Sequence, residues 1–147
     1  MKNILVAIDD CQKTTIASPL IVRVIELANA FSSKVRLLHV VPQSQQPPFN
    51  IDKKTLRHEV AHELHDEHEF LQQLAKHLRN RDIDATSLLV KGAIIKTILH
   101  ESDRLGVDLI ILGRHKHSKL YSALINGTEE GLLKICPYPI MFVPTSE

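Results

Sequence analysis

The chain has 147 residues, with 18 Lys+Arg against 17 Asp+Glu for a formal charge of +1. That length suits one domain, residues 1–147, with a proper core, and so balanced a charge excludes the basic excess usual in nucleic-acid binders. The absence of Trp and an aromatic content of 4% argue against a surface that stacks sugars or bases. Cys11 and Cys136 form no CxxC pair. With no signal peptide and no apolar run near ~18 residues, the chain reads as cytoplasmic, with reduced thiols and no membrane association.

Ile4-Leu5-Val6-Ala7-Ile8 is apolar without alternation, as expected of a strand buried on both faces. Asp9 and Asp10 stand at its C-terminal end. A helix fits Pro19 to Phe31, with Ser18 as N-cap before a proline at N1. Its apolar positions Leu20, Val24, Leu27, Ala28 and Phe31 follow helical spacing. Val35 to Val41 is a second strand, and the Gln/Ser/Pro-rich stretch from Pro42 to Asn50 is a loop. A long helix follows from about Lys53 to Asn80. Leu56, Val60, Leu64, Leu71, Leu74 and Leu78 lie within about 80° of one another at ~100° per residue, which defines a buried stripe. Thr86 to Val90 is a third strand closed by Gly92, and the helix from Ala93 to Leu105 stops at Gly106.

Residues 107–143 are the most informative part of the chain. The apolar run Val107 to Leu112 ends at Gly113, and a basic loop, Arg114-His115-Lys116-His117-Ser118-Lys119, follows. Asn126-Gly127-Thr128 then opens a helix to Ile135, and Pro139 to Val143 is the last strand. A strand ending in Gly before a loop and a helix N-terminus is how open α/β sheets build anion sites, because backbone N–H groups and the helix dipole converge there. Strands alternating with helices predict a doubly wound, open five-stranded parallel sheet with helices on both faces. Asp9, Val41, Gly92 and Gly113 all fall at carboxyl ends of strands, where such sheets bind ligands.

The opening ILVAIDD, LLHVVP at strand two, DLIILG at strand four and the closing CPYPIMFVP resemble the universal stress protein family over nearly the whole chain. The resemblance implies an adenine-nucleotide α-hydrolase-like fold, a stress-response role and a homodimer paired through the last strand. It also implies that ATP, ADP or AMP with Mg²⁺ is a candidate ligand. Nucleotide-binding members carry Gly-x-x-Gly, a nine-residue spacer and Gly-(Ser/Thr). Here Gly113 matches the first glycine. Lys116 replaces the second, Asn126 the third, and Gly127 stands at the hydroxyl position with Thr128 one place late.

Lys116 removes the freedom to adopt positive φ at a cost of ~1 kcal/mol or more if the backbone must be left-handed, yet it brings a cation to the anion. Asn126 tolerates left-handed geometry better than most residues. The phosphate loop is therefore weakened rather than absent. By the resemblance, Asp9 accepts from the ribose hydroxyls and Val40 meets the adenine through its backbone. Ala7 and Gly92 border the pocket, while Gly113, Lys116, Asn126, Gly127 and Thr128 line the phosphates. The blander readings are a turn or cap role for Asp9, helix capping by Asn126 or Thr128, and a solvated surface for the basic loop.

His58-Glu59-Val60-Ala61-His62 spells H-E-x-x-H, with His68 at a third-ligand spacing. A metalloprotease needs a turning glycine where His65 stands, so the helix runs on and His68 is not brought back to a metal. His58, His62 and His65 project opposite the leucine stripe. A solvated face accounts for them, with a Zn²⁺ or Ni²⁺ site from i,i+4 imidazoles or a pH-responsive surface as alternatives. No catalytic constellation is legible, so slow ATP hydrolysis is the most turnover expected. Two further readings stay open: a protein-interaction stress factor with a vestigial pocket, and a metal-responsive protein using the histidine helix. Cys11 reads as a loop cysteine and Cys136 as a packed one.

Overall fold

The computed structural model describes residues 1–9, 14–41, 53–114 and 136–145, with side chains along the long helix from residue 65 onward. Its elements are β1 (Asn3–Ala7), α1 (Pro19–Phe31), β2 (Lys34–Val41), α2 (Lys53–Arg79), β3 (Ala85–Lys91), α3 (Ile94–Leu105), β4 (Leu109–Arg114) and β5 (Ile140–Pro144). The strands form a five-stranded sheet in the order β3-β2-β1-β4-β5. Every pairing is parallel, with Ile4 opposite both Val35 and Leu109 and Ile110 opposite Ile140. This is the doubly wound architecture expected from the alternation of strands and helices. The expected helix from Thr128 to Ile135 lies outside the described residues.

Alternation along β1 sorts its side chains between two cores. Ile4 and Val6 join Leu20, Ile21 and Val24 of α1 and Leu71, Leu74 and Leu78 of α2 on one face. Leu5 and Ala7 join Ile98 of α3 and Val107, Ile110 and Leu112 on the other. A central parallel strand covered on both faces has no solvent side, which is why its sequence is uniformly apolar.

α1 begins at the predicted proline, with Ser18 extended at the N-cap but making no side-chain cap bond. Its hydroxyl instead accepts from the Thr15 amide at 2.8 Å, holding the turn before the helix. The buried face of α1 is Leu20, Ile21, Val24 and Ala28, whereas Phe31 is half exposed. Phe31 shares the helical stripe but stands in the last position, where the chain turns through Ser32 in the left-handed region to enter β2. The predicted leucine stripe of α2 holds at Leu71, Leu74 and Leu78, all buried. The side chains of Leu56, Val60 and Leu64 lie outside the described residues.

α3 ends at Gly106, whose φ of 61° supplies the left-handed C-cap. Arg114 continues β4 rather than opening the loop, because Thr145 donates its amide to the Arg114 carbonyl at 3.0 Å and prolongs the β4–β5 ladder. β5 lies at the sheet edge. Among the described residues no helix is long and apolar enough to cross a membrane.

Candidate functional site at the carboxyl ends of the strands

Because all the pairings are parallel, the carboxyl ends of the strands fall on one rim of the sheet. Ala7, the last residue of β1, pairs with Leu38 on one side and Leu112 on the other. From β1 the chain winds outward to β2 and β3, and then returns across to β4 and β5. The crossovers on either side of the β1–β4 pair therefore run in opposite directions, which makes the ends of Ala7 and Leu112 the switch point where such sheets bind ligands.

Five of the site residues anticipated from the sequence stand on this rim. Ala7 is buried, and Asp9 follows two residues beyond it, half-buried. Val40 is buried near the end of β2. Gly92 caps β3 and donates its amide to the Val41 carbonyl at 3.0 Å, locking the ends of β2 and β3 together. Gly113 is the penultimate residue of β4, opposite Val143. A Cβ at Gly113 would stand 3.3 Å from Thr145 Cγ2 and 3.8 Å from Leu20 Cδ2. The backbone there is thus approached closely by the chain beyond β5 and by the start of α1. Lys116, Asn126, Gly127 and Thr128 lie outside the described residues, as does Cys11.

One side chain at this rim belongs to no catalytic or metal-ligating motif in the sequence. His39 lies in β2 between Leu38 and Val40 and is almost fully buried. Its Nδ1 meets the Ile8 carbonyl at 2.8 Å, and its Nε2 lies 3.3 Å from Glu67 Oε2 on α2. The available signal is a lone imidazole among Leu37, Leu38, Val40 and Val41.

The predicted histidine face fares as periodicity suggested where it is described. His65 is exposed, while the side chains of His58 and His62 lie outside the described residues. Among the described residues no group of three or more His, Cys, Asp or Glu is placed to hold a metal ion. Cys136 packs against the second core, and its Sγ donates to the Tyr138 carbonyl at 3.4 Å.

Among the described residues, the groups whose titration is displaced stand before strands, away from this rim. Asp108 precedes β4, and hydrogen bonds from the Asn3 and Lys2 amides hold its carboxyl below the usual range. Tyr138 precedes β5, and its hydrogen bond to Asp103 pushes the phenol upward. A shallow polar groove of about 530 Å³ runs between α2 and the start of β3, lined by residues that include Lys76, Arg79, Thr86 and Ser87. It too lies apart from the rim.

An open, doubly wound parallel sheet with a switch point in its strand order defines the class of α/β folds that bind small ligands at that point. The universal stress protein family profile matches residues 1–144, so the chain belongs to the universal stress protein family. Comparison with curated protein sequences yields no significant match. Among solved structures, the chain is similar to a universal stress family protein from Burkholderia pseudomallei, with 20% identity, TM-score 0.69 and coverage of 97% of this chain and 96% of that one. It is also similar to universal stress protein UspA from Lactobacillus plantarum, with 18% identity, TM-score 0.70 and 97% coverage of both chains. A third is the Archaeoglobus fulgidus universal stress protein in complex with dAMP, at 14% identity and TM-score 0.61, covering 97% of this chain and 98% of that one.

Proposed function

We propose that the rim is an adenine-nucleotide pocket serving a stress-response role, with ATP, ADP or AMP as the ligand class. The observation that carries this reading is the placing of Ala7, Asp9 and Gly113 at the β1–β4 switch point, with Val40 and Gly92 further along the same rim. The residues present suit the nucleoside half of such a ligand. Ala7 keeps the floor of the crevice small, the Asp9 carboxylate is an acceptor for ribose hydroxyls, and the Val40 backbone borders the base. Gly113, Lys116, Asn126, Gly127 and Thr128 form the phosphate end, where Lys116 and Asn126 in place of glycines weaken the grip on a triphosphate. Mg²⁺, when bound with ATP, would neutralise phosphate charge. The Archaeoglobus fulgidus protein is in complex with dAMP, which supports a nucleotide as the ligand class.

Calorimetric titration of the full chain with ATP, ADP and AMP, with Mg²⁺ present, tests the reading. Micromolar binding abolished by Asp9→Ala is expected. No heat up to millimolar nucleotide would overturn it and leave protein interaction as the function of the fold. The edge position of β5 also favours assembly. An edge strand presents unpaired N–H and C=O groups, and pairing with a second copy of β5 removes that exposure. The protein is accordingly a homodimer through its C-terminal strand in this reading, which sedimentation of the wild-type chain against a Phe142→Asp variant checks.

A further inference from the structure

β1 leaves the sheet at a point set by a side chain rather than by the backbone alone. The Ile8 amide donates to the Leu38 carbonyl at 2.8 Å, continuing the β1–β2 ladder by one bond. In a parallel ladder the Val40 amide would next donate to the Ile8 carbonyl. The His39 ring reaches that carbonyl instead, with Nδ1 at 2.8 Å. A carbonyl only accepts, so Nδ1 carries the hydrogen. The Ile8 carbonyl and the Asp9 amide belong to one planar peptide unit. Whatever fixes the carbonyl therefore fixes the plane from which Asp9 departs. Burial beneath α2 holds the ring in turn, and Glu67 Oε2 lies 3.3 Å from Nε2, a contact that attracts when Nε2 also carries hydrogen.

We infer that His39 is a positioning residue for the ribose end of the pocket, and that Glu67 extends this control to α2 when the ring carries hydrogen on both nitrogens. The inference rests on the nucleotide reading for its functional meaning, but its geometry is independent of any ligand. His39 need not touch the nucleotide; it sets the direction in which Asp9 is presented, while its neighbour Val40 borders the base. Loss of the ring hydrogen bond removes one restraint on the plane of the Ile8–Asp9 peptide, and the Asp9 carboxylate is then presented to the ribose in an altered orientation.

The conservative replacement separates positioning from packing. The Asn amide nitrogen falls where Nδ1 of His lies, so His39→Asn keeps a donor for the Ile8 carbonyl, whereas His39→Leu fills space without one. In the full-length protein, His39→Leu is expected to shift the Asp9 amide resonance, raise its hydrogen-exchange rate and weaken ATP binding about tenfold, the scale of one hydrogen bond. His39→Asn is expected to keep the Asp9 resonance near its wild-type position and the affinity within about threefold. Nitrogen NMR of the wild-type ring, assigned by its loss in His39→Asn, is expected to show hydrogen on Nδ1.

A neutral ring protonated at Nε2 alone would overturn the inference. So would an Asp9 resonance unmoved in His39→Leu, or equal effects from the two substitutions. If the wild-type chain binds no ATP, the nucleotide reading fails, while the Asp9 resonance and the ring tautomer still decide the positioning role.

Discussion

Gly92 and Thr97 approach so closely that a Cβ built on the glycine would stand 2.6 Å from the threonine Oγ1. Thr97 is buried in the first turn of α3, and its amide donates to the Ala93 carbonyl at 2.9 Å. The hydroxyl has little room to retreat. Gly92→Ala is therefore expected to destabilise the fold by about 1–3 kcal/mol through overpacking. A lowered urea midpoint at unchanged slope is the expected result; an unchanged midpoint would show that Thr97 yields freely.

Asp108 staples the first residues of the chain to the start of β4. Its Oδ2 accepts from the Lys2 amide at 2.7 Å and the Asn3 amide at 3.0 Å. These bonds lower its folded pKa, so their contribution is present above the unfolded carboxylate value and is lost as pH falls through the folded one. Stability should decline below about pH 4 more steeply in the wild type than in Asp108→Asn, which has no such proton to take up. Unfolding midpoints measured across pH 5 to 2.5, a window of about the usual carboxylate range, check this. Parallel curves would remove Asp108 from the acid response.

The opposite sign applies to Tyr138, whose hydroxyl donates to Asp103 on α3. Its folded pKa is raised, so that contribution is fully present below the unfolded value and is lost as pH rises through the folded one, above about pH 10. In a Tyr121→Phe background, absorbance titration should find the remaining phenol ionising later than a free tyrosine. Tyr138→Phe should correspondingly blunt the alkaline loss of stability. Ionisation at the free-tyrosine pH would refute the contact.

Along α1, two apolar residues should behave very differently. Ile21 is fully buried while Phe31 is half exposed. Ile21→Ala is expected to cost about 2–5 kcal/mol, and Phe31→Ala no more than about 0.5 kcal/mol. Equal losses in chemical denaturation would mean that Phe31 is covered in solution, most simply by a partner.

Much of this architecture was legible because helices and parallel strands announce themselves locally. The uninterrupted apolar run of β1 marked a strand covered on both faces. The spacing of Leu71, Leu74 and Leu78 marked the inner stripe of α2, and Gly106 marked the end of α3. Side chains at element ends obeyed local rules less well. Ser18 occupies the N-cap position but spends its hydroxyl on Thr15, and Phe31 continues a helical stripe past the point where the sheet can cover it. In both cases a neighbouring turn outweighed periodicity.

The sequence by itself determined the order and type of the elements, and it placed Ala7, Asp9, Val40, Gly92 and Gly113 near strand ends. Periodicity and turn chemistry act over a few residues and are written into the chain directly. Only the tertiary structure decided that β1 is central, that β5 is an edge, and that these ends meet on one rim. It alone brought His39 to Ile8 and Glu67, and Asp108 to Lys2 and Asn3. Such contacts join residues far apart in the chain, and no local pattern specifies which distant acceptor a buried ring or carboxylate will meet. They depend on strand order and register, which the packing of two apolar faces settles for the molecule as a whole.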